Sequence, residues 1–362
     1  MKQDTGIHLL QFQKIFVTVV YIRIETIFRK PKANFLRKSF IGFSLTVILS
    51  ACSAGQNSTA TIKPTELLLP PAGSIEKINN LDFHSFEMGD GETTVIFIHG
   101  ASINLQDWVL ANAPLDANSY KSIFIDRPGF GYSKRDETRW TAKKQAMQIR
   151  SFAQKSSIKK PILVGHSWGS IVAFEWASEY PDELLGVVSV SGVNMPYSKL
   201  TEWLAMIGIL EPAVEIYSRS VAGRHFNEQT ELFLKKVFAP QEIPVGYLQK
   251  VGVDLFRRNH TIMANSQDLA QTEIALASLS KKYSSLYLPV EIIHGEKDFL
   301  IPADVHAYDF VDQLPNANLT ILKGVGHMAH HVNPYSIKRA IERILLAESC
   351  HLHPKRKICL SS

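Results

Sequence analysis

Cysteine is nearly missing: Cys52, Cys350 and Cys359 are the three among 362 residues. That is too few for a disulfide-held scaffold, so the chain must fold around an apolar core. A membrane-spanning run is missing as well. The stretch Ile15 to Phe28 is broken by Arg23 and Glu25. The charge-free stretch Phe40 to Ala51 would reach only ~18 Å as a helix, against a ~30 Å hydrocarbon core. Basic excess is missing from most of the chain. The formal charge is +5, but residues 1–51 set eight Lys and Arg against Asp4 and Glu25. The remainder is slightly acidic. Nucleic-acid binding needs a basic footprint on the folded domain, and there is none. With 45% apolar and 20% charged residues and no internal repeat, disordered and collagen-like chains are excluded too.

What is present begins with a leader, residues 1–51. Arg37 and Lys38 precede the apolar run Phe40 to Ala51, the layout of a secretory signal. The run ends Leu49-Ser50-Ala51-Cys52, which resembles a bacterial lipobox. That resemblance implies a lipidated Cys52 as the mature N-terminus, on a bacterial envelope membrane and, with Ser53 next, on the outer membrane where there is one. The 35 residues before the signal read as an over-long n-region or as an upstream start, with initiation near Leu36. Residues 52–75 are rich in Ser, Thr, Ala, Gly and Pro without period and read as a flexible tether.

From Glu76 onward strands and helices alternate. Asp82 to Met88 alternates in polarity, and Gly89-Asp90-Gly91 supplies a turn. Continuous apolar runs follow at Thr94–Ile98, Ser122–Ile125, Ile162–Val164, Gly186–Val190, Val290–Ile293 and Leu319–Leu322. Such runs suit strands buried on both faces of a mainly parallel sheet. Helical patterns at Trp140–Gln154, Ser170–Ser178 and Ser336–Ala347 separate them. The expectation is an α/β fold with core segments 76–193 and 286–348 and a tail at 349–362. The interval 194–285 shows helical spacing without a convincing strand. Pro196, Pro212, Pro240 and Pro244 divide it into several short helices, an inserted helical cap.

The chemistry gathers at strand ends. Gly165-His166-Ser167-Trp168-Gly169 follows a strand and precedes a helix, the context of a nucleophile elbow. A serine hydroxyl is a weak nucleophile and needs a base oriented by a third group. Asp298 lies just past the run Val290–Ile293, and His327 just past Leu319–Leu322. Catalytic groups of open α/β sheets collect outside the carboxyl ends of the strands, so all three share one edge.

With these motifs in place, residues 92–348 resemble the α/β-hydrolase superfamily. The matching pieces are His99-Gly100-Ala101, Asp126-Arg127-Pro128-Gly129-Phe130-Gly131-Tyr132-Ser133, the elbow, Gly295-Glu296-Lys297-Asp298, and Gly326-His327 with Pro334 behind it. The resemblance implies Ser167 as nucleophile, His327 as general base and then acid, and Asp298 as the orienting acid. It implies an oxyanion hole from the backbone N–H of Trp168 and of Ala101, with Ser102 as the weaker choice for the second donor. Serine at the elbow separates the chain from haloalkane dehalogenases and epoxide hydrolases, which use Asp there, and from dienelactone hydrolases, which use Cys.

Other residues read as structural. His99 shapes the oxyanion loop and His166 packs. Asp126 could replace Asp298 as the acid, but its Arg-Pro-Gly context reads as a turn. No acid adjoins His330 and His331 in sequence and the family uses no metal, so no metal is expected. Cys359-Leu360-Ser361-Ser362 superficially suggests prenylation, yet Ser361 is not aliphatic, and a Cys350–Cys359 disulfide stays open. The reading is a cofactor-free serine hydrolase acting on a small ester-like substrate held between cap and core. Trp203, Met206, Ile207, Leu210 and Phe226 favour an apolar group. An amidase or aminopeptidase, a C–C bond hydrolase and a silent ligand-binding lipoprotein are the alternatives.

Overall fold

The computed structural model describes residues 70–197, 233–256 and 258–352. The leader, Cys52, the five apolar cap residues named above and Cys359 lie outside these segments. Eight strands form one sheet: β1 (Ser74–Ile78), β2 (Leu81–Met88), β3 (Thr93–Ile98), β4 (Tyr120–Ile125), β5 (Ile162–His166), β6 (Gly186–Val190), β7 (Val290–Gly295) and β8 (Ala317–Leu322). Their order is β1-β2-β4-β3-β5-β6-β7-β8. β2 pairs antiparallel with β1 and with β4, and every other pairing is parallel. The fold is α/β, a mainly parallel sheet flanked by helices, and each apolar run of the sequence becomes one of its strands.

The runs are continuous because both faces are covered. Along β3, Ile96 and Ile98 enter one apolar cluster while Val95 and Phe97 enter another on the opposite face. Helices α2 (Ala142–Lys155) and α3 (Trp168–Glu179) fill the first cluster. Helix α1 (Gln106–Ala111), which the sequence pattern does not announce, and the C-terminal helix fill the second. The Thr141 hydroxyl caps α2 by accepting the Lys144 N–H, and the buried series Ala142, Ala146, Ile149 and Phe152 follows the helical repeat.

In the interval 194–285 the described residues hold no strand. They differ from a set of short helices in one respect: α4 (Asn259–Leu279) runs for 21 residues. No proline stands between Pro244 and the end of α4, so nothing interrupts it. Two helices follow β8, α5 (Ala329–Val332) and α6 (Pro334–Leu352). Pro334 opens α6, where its missing N–H costs nothing. α6 continues to Leu352, past the tail boundary expected at 348, because no proline or glycine intervenes before Pro354. No helix among the described residues is long and apolar enough to cross a membrane.

Candidate active site

β5 delivers Ser167 and α3 begins one residue later. Ser167 sits at φ +51°, ψ −121°, outside the regions an L-residue prefers, and such strain is characteristic of functional turns. The flanking glycines make the turn feasible. A Cβ on Gly165 would lie 2.6 Å from the Ser170 Cα, and one on Gly169 would lie 2.4 Å from the Ile98 carbonyl oxygen of β3. The Ser167 N–H donates to the Val190 carbonyl, and its own carbonyl accepts from Ser170 and Val193. The backbone is pinned and the side chain stands at the sheet edge.

Past β7, Asp298 is buried and its two oxygens have separate duties. Oδ1 accepts the N–H groups of Leu300 and Ile301 at 3.0 and 2.9 Å, and Oδ2 lies 2.7 Å from His327 Nδ1. His294 adds a longer contact, Nε2 to Oδ2 at 3.4 Å, while donating to the Ile301 carbonyl. The acid therefore cannot rotate away from the imidazole. Asp126 is engaged elsewhere: it takes His84 Nδ1 at 2.6 Å and the N–H groups of Leu105 and Tyr132. It is a turn residue.

Gly100 brings the loop after β3 against the elbow, since a Cβ there would lie 3.1 Å from the Ser167 Cβ. Ala101 follows. The Ser102 N–H is committed to Asn265 Oδ1 at 2.8 Å, which leaves Ala101 as the donor the loop can offer. Trp168 is the first residue of α3, so its N–H is among those a helix leaves without an internal partner.

Comparison with known proteins identifies the family. A family model for the alpha/beta hydrolase fold matches residues 93–334. The chain belongs to the α/β-hydrolase family. It is similar to an uncharacterized protein of Mycobacterium tuberculosis strain H37Rv, 24% identical over 298 residues, 78% of this chain and 84% of that protein. It is similar to a 2-hydroxy-6-oxononadienedioate/2-hydroxy-6-oxononatrienedioate hydrolase of Pseudomonas, 22% identical over 253 residues, 69% of this chain and 87% of that one. Among solved structures, a thermophilic esterase from Thermogutta terrifontis superposes with a TM-score of 0.60 at 18% identity, covering 74% of this chain and 94% of the esterase.

Histidines crowd this α/β-hydrolase site, and their environments separate their uses. His99 is fully buried; its Nδ1 faces the Gly100 carbonyl and its Nε2 accepts the Arg127 N–H. Burial, together with the Arg127 charge, brings its pKa down to about 3, so it stays neutral. His166 lies 5.0 Å from the His327 ring and 4.2 Å from the His330 ring, and burial holds it well below the ordinary imidazole range. It packs.

Asp107 corrects one expectation. Sequence placed no acid beside His330 and His331, but α1 brings this one, 223 residues from His330, into their midst. It takes His330 Nε2 at 2.8 Å, His331 Nε2 at 2.7 Å and the Tyr247 hydroxyl at 2.7 Å. The ligand atoms of Asp107, His330 and His331 lie within 4.8 Å of one another, close enough to invite a metal. Yet the Nε2 atoms that would bind it face the carboxylate at hydrogen-bond distance, and the Tyr247 proton is a third donor to the same group. The carboxylate is saturated by these three donors, while His330 Nδ1 is buried without a hydrogen-bond partner.

Sequence reasoning missed Arg127 and Asp268. Arg127 is fully buried and stacks on the rings of Phe130 and Trp168. Burial lowers its pKa to about 10, opposed by Asp268 of α4 at 2.5 Å. The Asp-Arg-Pro-Gly motif marks Arg127, whereas nothing local marks its partner.

Proposed function

We propose that the protein is a serine hydrolase cleaving a carboxylic ester of a small, apolar substrate through an acyl-Ser167 intermediate. The observation that carries this reading is the 2.7 Å contact of Asp298 Oδ2 with His327 Nδ1, formed at the sheet edge that presents the strained Ser167. A proton on Nδ1, held by Asp298, leaves the Nε2 lone pair for the serine. Ser167 Oγ attacks the ester carbonyl as its proton passes to His327 Nε2. The N–H groups of Ala101 and Trp168 take the charge that develops on the carbonyl oxygen. Collapse expels the alcohol, which carries the proton from His327. Water then repeats the sequence on the acyl-enzyme and frees the acid.

The same proposal includes attachment. The Leu49-Ser50-Ala51-Cys52 sequence supports acylation of Cys52 and a bacterial cell-envelope location, the outer membrane where there is one, with the catalytic domain outside the cytoplasm. One acyl chain binds membranes marginally, so stable anchoring needs more than one. Metabolic labelling with a radioactive fatty acid should mark the wild type and not Cys52→Ala. An unlabelled wild type retaining residues 40–51 overturns the anchor.

A fluorophosphonate probe should label Ser167, located by peptide mass. Ser167→Ala should lower ester turnover by ~10⁴–10⁶-fold in a folded protein. Wild-type-like turnover in that variant sinks the assignment. The Pseudomonas relative gives C–C bond hydrolysis its place as the second reading, so a 2-hydroxy-6-oxo-dienoic acid belongs in the panel beside esters of graded chain length. Faster turnover of that acid than of any ester would replace the ester reading.

A further inference from the structure

Helix α4 turns one polar stripe toward the oxyanion apparatus. Asn265, Asp268 and Thr272 are spaced as neighbours along a helix face. Each ends on a different part of the hole. Asn265 Oδ1 accepts the Ser102 N–H at 2.8 Å. Asp268 Oδ2 accepts from Arg127 Nη1 at 2.5 Å, while Arg127 Nε and Nη2 donate to the carbonyls of His99 and Gly100 at 2.9 and 2.8 Å. Thr272 Oγ1 accepts the Trp168 indole N–H at 3.0 Å. Asp268 is buried, and its other oxygen holds Arg135 at 2.6 Å and Gln145 at 2.9 Å.

We infer that this stripe sets the geometry of the oxyanion hole, with Asn265, Asp268 and Thr272 as positioning residues that act on the Ala101 and Trp168 donors. The inference rests on the acyl-Ser167 reading above. Its logic is the planarity of the peptide unit. The Gly100 carbonyl and the Ala101 N–H belong to one trans peptide and point in opposite directions. Fixing that carbonyl on Arg127 fixes where the Ala101 N–H points. The next peptide, Ala101 carbonyl with Ser102 N–H, is fixed by Asn265. Both planes flanking Ala101 are therefore set, one directly by α4 and one through Arg127. Trp168, whose backbone N–H is the other donor, is held by its indole on Thr272 and by the Arg127 guanidinium 4.6 Å over its ring. Preorganised donors stabilise a transition state without reorganising, so a donor turned off its line costs turnover more than substrate binding.

The test compares kcat, KM and the Ki of phenylboronic acid, which forms a tetrahedral adduct on an active serine, across α4 variants with matched Tm. Loss of one oxyanion donor typically costs ~10²–10³-fold in kcat. Asp268→Asn should approach that loss, with KM within about twofold and the Ki rising in step with the fall in kcat. Because Asp268→Asn removes the counter-charge of buried Arg127 and can fail to fold, Asn265→Ala is the second variant. It should lose roughly tenfold in kcat, and Asn265→Asp, which keeps an acceptor oxygen, should restore most of it. The acid limb of the kcat/KM profile should stay in place in all of them, since His327 and Asp298 are untouched. A labelled, active wild type whose folded Asn265→Ala keeps kcat and Ki within twofold overturns the stripe and leaves the hydrolase reading standing. A wild type that neither hydrolyses esters nor is labelled at Ser167 overturns that reading, and the stripe with it.

Discussion

Among the buried histidine–carboxylate contacts of the described residues, two clusters lie side by side and differ in construction. In the first, one oxygen of Asp298 holds His327 at 2.7 Å and His294 at 3.4 Å, while two backbone N–H groups occupy the other. In the second, Asp107 gathers His330, His331 and Tyr247 on a single carboxylate. The rings of His166 and His330 bridge the space between them, with centroids 5.0 and 4.2 Å apart along the path from His327. The difference lies in what each imidazole has left to do. His327 ends its strand loop at the edge where Ser167 emerges. His330 is sealed between Trp108, His166 and His331, with no exposure at all. A carboxylate–imidazole pair becomes a catalytic device through the neighbour of its second nitrogen. Without such a neighbour it is a clamp, here joining α1 to α5.

Breaking the first pair should give the largest effect on chemistry. Asp298→Asn keeps the size of the side chain but favours the wrong His327 tautomer. Turnover should fall by about 10⁴-fold in a protein of near-wild-type Tm, measured by steady-state ester hydrolysis. A greater loss in Asp126→Asn than in Asp298→Asn, both folded, would transfer the role of acid. Breaking the second pair should appear in stability instead. Asp107→Ala strands three buried donors, and each unsatisfied group costs ~1–3 kcal/mol, so unfolding in urea should shift by about 3 kcal/mol or more. Turnover per folded molecule should stay within a few-fold of wild type. A loss of turnover as deep as that of Asp298→Asn would make the two clusters one machine.

The first cluster was readable in the sequence and the second was not, for a physical reason. Ser167, Asp298 and His327 each follow an apolar strand by a few residues, and a parallel sheet places every such position on one edge. Ala101 and Trp168 follow from their places beside the β3 end and the elbow. Asp107 and His330 are joined only by the packing of α1 against α5, which leaves no local period. Asp268 is hidden differently. The buried residues of α4 include Thr261, Ser266, Asp268, Gln271 and Thr272, while Ile274 is 66% exposed. A helix that turns its polar side inward defeats an argument from apolar spacing. Within 233–285 the spacing of α4 discloses a helix and conceals which of its residues support the core.

Acid should sharpen the contrast further. Burial, against the pull of Asp107, brings the His330 pKa from 6.5 to about 4, and burial brings the His306 pKa to about 3. These folded-state values lie below the unfolded one, so below pH 6.5 the unfolded chain binds more protons than the folded chain. Stability is then present above about pH 6.5 and lost as the pH falls toward 4. The slope is somewhat over 1 kcal/mol per pH unit for each such imidazole. Urea midpoints should change little from pH 7.5 to about 7 and fall between about pH 6.5 and 5. A flat profile would mean that these rings already carry protons in the folded protein.

The smallest effect should come from Tyr247→Phe. Its hydroxyl is one of three donors to Asp107, and it shares Oδ1 with His331. Removing it leaves the carboxylate two imidazole partners, so no buried charge is stranded and no donor is orphaned. The ring itself should stay, since it packs edge-on against Phe238 at 5.0 Å and against His331 at 5.5 Å. What is lost is one hydrogen bond, about 1 kcal/mol in urea unfolding. Ester turnover should not change, because the link from Tyr247 to His327 runs through the packed rings of His331, His330 and His166. A folded Tyr247→Phe protein with a tenfold lower kcat would mean that the clamp tunes His327 after all, and the division between the two clusters would fall.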